Sequence, residues 1–178
     1  YIYTKSFPQA ATDMPRSLID RALQDTKREF PQIDELARGI VYCFFCFANH
    51  FSRRGSRLLE QFGLSWGEYL VITTLRRKGT HGGLSPSALC ESTGMSTGGL
   101  SNLLRRLETG GLVKRAPSTR DRRGVHVTIT ARGRRLSERA LLAVSADQDA
   151  QIGALSRSER ARLYAQLRTL VAHLEYGD

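Results

Sequence analysis

Cysteine is scarce, and its scarcity narrows the setting in which the chain works. Three cysteines in 178 residues do not build a disulfide framework, so the sequence reads as a cytoplasmic protein in a reducing compartment. No apolar run reaches the roughly 20 residues of a membrane-spanning helix, and no signal peptide is read near Tyr1, with Met14 a candidate start. Acidic residues are also short: 17 Asp and Glu stand against 27 Lys and Arg, a formal charge of +10. The excess is mostly Arg and gathers between Arg105 and Arg139. The planar fork of Arg suits phosphate and guanine, so nucleic acid leads as partner, ahead of an anionic membrane surface. Catalytic sets are missing too. No Ser/His/Asp group, acidic pair or phosphate loop is found, and GTHGGLS at 79–85 reads only as a Gly-rich turn. His50, His81, His126 and His173 share no metal-ligand spacing with Cys or acids. The expectation is no enzyme, no metal and no resident cofactor.

What the chain does have is the stretch 96–109, STGGLSNLLRRLET. Leu100, Leu103, Leu104 and Leu107 fall at i, i+3, i+4 and i+7, one apolar stripe on a helix. Gly98, Asn102 and Arg105 lie opposite, flanked by Ser101 and Arg106, with Thr97 in the first turn and Ser96 as N-cap. Asn and Arg can each make two bonds to a base edge, and Gly98 lets backbone come close. Before this helix, Ser85-Pro86 opens a shorter one that carries Ala88 and Leu89 inward and stops near Gly94. Helix, tight turn and helix make a helix-turn-helix. After it, Gly110-Gly111 leads into a strand at 112–116, a loop PSTRDRRG at 117–124, and a strand in which Val125, Val127 and Ile129 alternate with His126 and Thr128. The hairpin tip is almost all Arg and Asp, which makes it a basic wing.

The flanks are helical. Residues 1–12 lack periodicity. A short helix is expected from Asp13-Pro15 to about Arg28, with Leu18, Ile19, Ala22 and Leu23 inward, broken by Pro31. A long helix follows from about Gln32 to Gln61. Leu36, Ile40, Cys43, Phe44, Phe47 and Phe51 mark its apolar side, and Val41, Phe45 and Cys46 widen it around most of the circumference. A helix apolar nearly all round is buried on several sides, which points to an intertwined dimer. Ser65 and Glu68 form a capping box for a helix over 66–77. Thr130 caps a helix with Leu136, Ala140, Ala143 and Val144 inward. A second box, Ser156 and Glu159, opens a last helix striped by Leu163, Leu167, Leu170, Val171 and Leu174. The domain division expected is 1–31 as an N-terminal extension, 64–130 as the winged lobe, and 32–63 with 131–178 as the dimerisation region.

Taken together, LSPSALCESTGMSTGGLSNLLRRLETGGLVKR followed by STRDRRGVHVTITARG resembles the multiple antibiotic resistance regulator (MarR) family of winged-helix transcription factors. The shared marks are G-x-S-x-G-x-L-S, R-L-E-x-x-G-L-V-x-R, the wing D-x-R and a final I-T-x-x-G. The resemblance implies a triangular homodimer whose two winged lobes read a pseudo-palindromic operator in duplex DNA, as a repressor released by a small aromatic or acidic effector. It implies that Ser96, Thr97, Gly98, Ser101, Asn102, Arg105 and Arg106 face the major groove or its phosphates. Asp121 and Arg123 match the wing D-x-R, the Asp orienting and the Arg entering the minor groove. Arg120 and Arg122 add charge where the narrow groove concentrates negative potential, and His126 on the outer wing face is placed near phosphate. Relatives bind effectors in an aromatic cleft, for which Trp66 and Tyr69 are the candidate lining and His50, Arg53 and Arg54 the anion partners. Cys43 and Cys46 are redox candidates by position. Their apolar surroundings, VYCFFCFA, argue for buried and inert thiols, and Cys90 is expected in the core. The rival readings are a thiol-based redox regulator of the same fold and a winged-helix module that binds protein or RNA.

Overall fold

Short polar side chains set where the helices begin. In a computed structural model, which describes residues 16–79, 83–117 and 125–176, α1 runs Arg16–Glu29 and α2 Glu35–Glu60. The Asp34 carboxylate caps α2 by accepting from the N–H groups of Leu36 and Ala37 at 2.8 and 3.3 Å. That cap moves the helix start three residues beyond the expected Gln32. Ser65 opens α3, Trp66–Lys78, with the full capping box. Ser85 opens α4, Pro86–Thr93, accepting from Ala88 N–H, and Gly94 ends it with a left-handed φ of 67°. Ser96 opens α5, Thr97–Thr109. Strands β1, Val113–Pro117, and β2, Val125–Ile129, pair antiparallel with Val113 opposite Ile129. Then follow α6, Ala131–Gln151, and α7, Arg157–Tyr176. The architecture is a mainly helical winged helix-turn-helix with a small hairpin. The expected wing tip, with Arg120, Asp121, Arg122 and Arg123, lies outside the described residues, as do His81 and residues 1–15.

The hairpin has a third member that the Gly-rich reading of 79–85 passes over. Leu84 exchanges two backbone bonds with Val127, donating at 3.0 Å and accepting at 2.8 Å. This joins the lead-in of α4 to the free edge of β2. Gly83 stands at φ 88°, and a Cβ there would run into the Val127 carbonyl, so the junction needs glycine.

Leu59, Val71, Ile72, Leu75, Leu89, Leu100, Leu107 and Val127 are almost completely buried and form the centre of the core. The chain divides into two compact units, the first ending at Ala140 and the second beginning at Leu141. The first turns of α6 therefore pack with the winged lobe. Arg76 on α3 donates to the Arg134 carbonyl at 2.8 Å and pairs with Glu138 at 3.2 Å. Thr130 accepts from Gly133 N–H at 3.0 Å and donates to the Gly111 carbonyl at 2.7 Å. In the second unit the Ser156–Glu159 box closes at 2.8 Å from Ser156 N–H to the carboxylate. The Ser156 side chain and backbone hold the Glu159 carboxyl below its ordinary pKa.

On α2, one side meets α3 through Gly55 and Leu59, both buried. α1 lies on another side: Leu23 Cδ1 stands 3.4 Å from where a Gly39 Cβ would be, and Lys27 pairs with Glu35 at 2.9 Å. Elsewhere the apolar surface is open. Leu36 is 74% exposed and Phe47 51%, and Val41, Phe44 and Phe45 are also exposed. The stripe on α7 is open as well, with Leu174 at 75%.

Candidate nucleic-acid interface

Helix α5 is two-sided, as its periodicity dictates. Leu100, Leu104 and Leu107 are buried. Leu103 is half-buried and fills the space over Gly67 on α3, where a Cβ would stand 2.9 Å from Leu103 Cδ1. Ser96, Thr97, Gly98, Ser101, Asn102 and Arg105 are all exposed. Ser96 Oγ accepts from Gly99 N–H at 3.3 Å, so its oxygen caps the helix start. Ser96→Ala is expected to lower stability by about 1 kcal/mol, read from a denaturant melt. Nothing stands within 4 Å of a Cβ built on Gly98, so the helix surface there is open to a close backbone approach. On this face the Arg105 guanidinium donates to Asn102 Oδ1 at 2.9 Å. The two side chains with bidentate capacity for bases therefore orient each other.

Arg106 is exposed as well, but it is paired with α3. Its Nε lies 3.1 Å from Glu68 Oε1 and its Nη2 donates to Oε2 at 3.4 Å. The guanidinium is folded back toward α3 rather than held out with Arg105. Glu68 is buried at 4% exposure; a buried carboxylate needs partners, and it gets them from Ser65 and Arg106. The sequence marks Glu68 as a cap but gives no sign of this pairing, because the two residues are 38 apart. A second pairing is closer to legible. In R-L-E-x-x-G-L-V-x-R, the Glu108 carboxylate accepts from the Arg115 N–H and pairs with its Nε, each at 3.3 Å. That bond bolts the end of α5 to β1. His126 is half-buried on β2, opposite Ala116.

The expected effector residues lie on two helices, His50, Arg53 and Arg54 on α2 and Trp66 and Tyr69 on α3. Trp66 packs edge-on against Phe51 with centroids 5.8 Å apart and tilts over Tyr69 at 5.4 Å. It fills the notch at Gly55, where a Cβ would stand 2.9 Å from Trp66 Cζ3. Tyr69 is buried at 6% exposure, and burial pushes its phenol pKa up. Trp66 therefore packs the α2–α3 junction, with Tyr69 beside it on α3. His50, Arg53 and Arg54 are exposed on α2. At about 100° per residue, Arg53 projects from the side opposite Phe51 and Gly55. The cysteines also differ from expectation: Cys43 is exposed, and Cys46 and Cys90 are half-buried. The aromatic neighbours of Cys43 are themselves open on α2, so they do not enclose it.

Among the described residues no three His, Cys, Asp or Glu come together as a metal set, and no helix is long and apolar enough to cross a membrane. The sequence profile of the MarR family matches residues 62–124, which hold α3, α4, α5 and β1. Over 120 residues the chain is 30% identical to the HTH-type transcriptional regulator PrsX of Escherichia coli, covering 67% of this chain and 72% of PrsX. The chain belongs to the MarR family. As a MarR-family member it is a transcriptional regulator that binds DNA, and not an enzyme. It is also 26% identical over 152 residues to the HTH-type transcriptional regulator PecS of Dickeya dadantii (strain 3937), covering 85% of this chain and 92% of PecS. The MarR-family fold is shared with CouR of Rhodococcus jostii RHA1, at a TM-score of 0.67 and 20% identity over 78% of this chain and 93% of CouR. The CouR structure has p-coumaroyl-CoA bound.

Proposed function

We propose that this MarR-family regulator is a cytoplasmic repressor that reads a pseudo-palindromic operator as a homodimer and is released by a small aromatic or acidic effector. The observation that carries the reading is the exposed face of α5. Gly98, Ser101, Asn102 and Arg105 stand free of the core there, and Asn102 and Arg105 are joined at 2.9 Å. Base readout falls to Asn102 and Arg105. Ser96, Thr97, Gly98 and Ser101 approach the backbone, and Arg120, Asp121, Arg122, Arg123 and His126 serve the wing. The winged lobe is 64–130, residues 1–31 an extension, and 32–63 with 131–178 the source of dimer contacts. Support for the dimer is the apolar surface left open on α2 and, separately, on α7. The p-coumaroyl-CoA held by CouR supports the class of effector, with His50 and Arg54, on either side of Phe51 in the chain, as its anion partners.

Light scattering at micromolar concentration is expected to give twice the 19.9 kDa chain mass. A duplex selected from random DNA is expected to show a two-fold symmetric footprint, with half-sites about 10 base pairs apart, centre to centre. A folded monomer, or a footprint without symmetry, would overturn the dimeric reading.

A further inference from the structure

Three consecutive residues at the start of α3 touch two other helices. Trp66 fills the notch at Gly55 on α2, Gly67 lies under Leu103 of α5, and Glu68 holds Arg106 of α5. Leu103 and Arg106 are one turn apart, so α5 is fixed to α3 at two points along its length. The Glu68 carboxylate divides its work. Oε2 accepts from Ser65 N–H at 2.8 Å and Ser65 Oγ at 2.7 Å, which keeps the cap. Oε1 faces Arg106 Nε at 3.1 Å, and Oε2 also accepts from Arg106 Nη2 at 3.4 Å. One buried carboxylate thus closes the first turn of α3 and holds a side chain of the helix that faces DNA.

We propose that Arg106 is a positioning residue and not a DNA contact: gripped by Glu68, it sets the angle at which α5 stands on α3, and through Trp66 its stance relative to α2. The proposal rests on the reading of α5 as the helix that recognises bases. The Arg106 side chain is 64% exposed, so solvent screens the pair and its strength is modest. Its geometry is what matters. A two-atom grip on an arginine fixes direction, which a lone ammonium does not do. Misplacing a reading helix weakens specific contacts while leaving the charge-driven, sequence-independent attraction in place.

The test compares a duplex selected from random DNA with its scrambled counterpart, at several salt concentrations, for the full chain and for Arg106→Gln, Arg106→Lys, Glu68→Gln and the Glu68→Gln/Arg106→Gln double variant. Glu68→Gln keeps the shape and can still accept from Ser65. Thermal melts establish that each variant is folded. Each single variant is expected to lose about tenfold in preference for the selected duplex, with the double no worse than the poorer single, as for two halves of one interaction. Scrambled-duplex affinity and salt slope are expected to stay near those of the parent. Arg106→Lys is informative if either Gln variant fails to fold. It keeps the charge that a phosphate contact needs, yet it is expected to lose preference as Arg106→Gln does. The proposal is overturned if Arg106→Gln lowers the salt slope by about one unit per subunit while Arg106→Lys and Glu68→Gln bind as the parent does. It is also overturned if the two single effects simply add. Asn102→Ala serves as the control for the underlying reading: preference that survives its loss would mean that α5 is not the reader, whatever Arg106 does.

Discussion

Asn102→Ala is expected to bind scrambled DNA about as well as the parent while losing its preference at particular base pairs of the selected duplex. A good bidentate contact discriminates by about 1–3 kcal/mol, which is about 5- to 150-fold in relative affinity. Asn102 carries no charge, so the phosphate-driven part of binding is left alone. It does carry an oxygen that accepts from Arg105 at 2.9 Å, and its loss releases Arg105 from a fixed direction. The loss of preference is therefore expected to extend to the base pair that Arg105 meets. Arg105→Ala removes a charge as well, and is expected to lower affinity for both duplexes and to reduce the salt slope. Binding measured at several salt concentrations separates the two. An Asn102→Ala protein that keeps the parent's preference at every base pair would remove α5 from its assigned role.

Leu104→Ala is expected to act on the opposite face of the same helix and to do the reverse. Leu104 is 2% exposed, and its truncation leaves a hole in a packed core. Such truncations lower stability by about 2–5 kcal/mol. A urea melt is expected to show the midpoint falling with little change in slope, since the area exposed on unfolding hardly alters. Base preference of the fraction that remains folded is expected to be that of the parent. A melt that matches the parent would mean that the stripe 100–107 does not hold α5 to the lobe.

Much of the fold and of the α5 face is legible in the sequence because it is local. Ser65, Ser85 and Ser96 announce helix starts within three residues of themselves, and the Leu spacing on α5 fixes which of its sides faces inward. What stays hidden involves partners far apart along the chain. Nothing around Glu68 points to Arg106, nor around Arg76 to Arg134, 58 residues on. The Leu84–Val127 pairing hides within a glycine-rich loop, because backbone bonds leave no side-chain signature. Trp66 and Tyr69 read as pocket lining since an aromatic pair fits a cleft or a helix junction equally well. The notch at Gly55, which Trp66 fills, has no signature beside either ring in the sequence. Cys43 fails for a different reason. Apolar neighbours in sequence predict burial, but among the described residues the elements packed on α2 leave Cys43 exposed.

The notch at Gly55 also gives the protein a built-in optical reporter. Trp66 is the sole tryptophan, and its indole sits where α2 and α3 meet, edge-on to Phe51. Indole emission shifts with the polarity around the ring, so the unlabelled protein's tryptophan fluorescence comes from a single site. A spectral change on adding DNA or a small molecule would then record movement at that junction, directly beside Gly67 and Glu68, without a dye and without altering the chain.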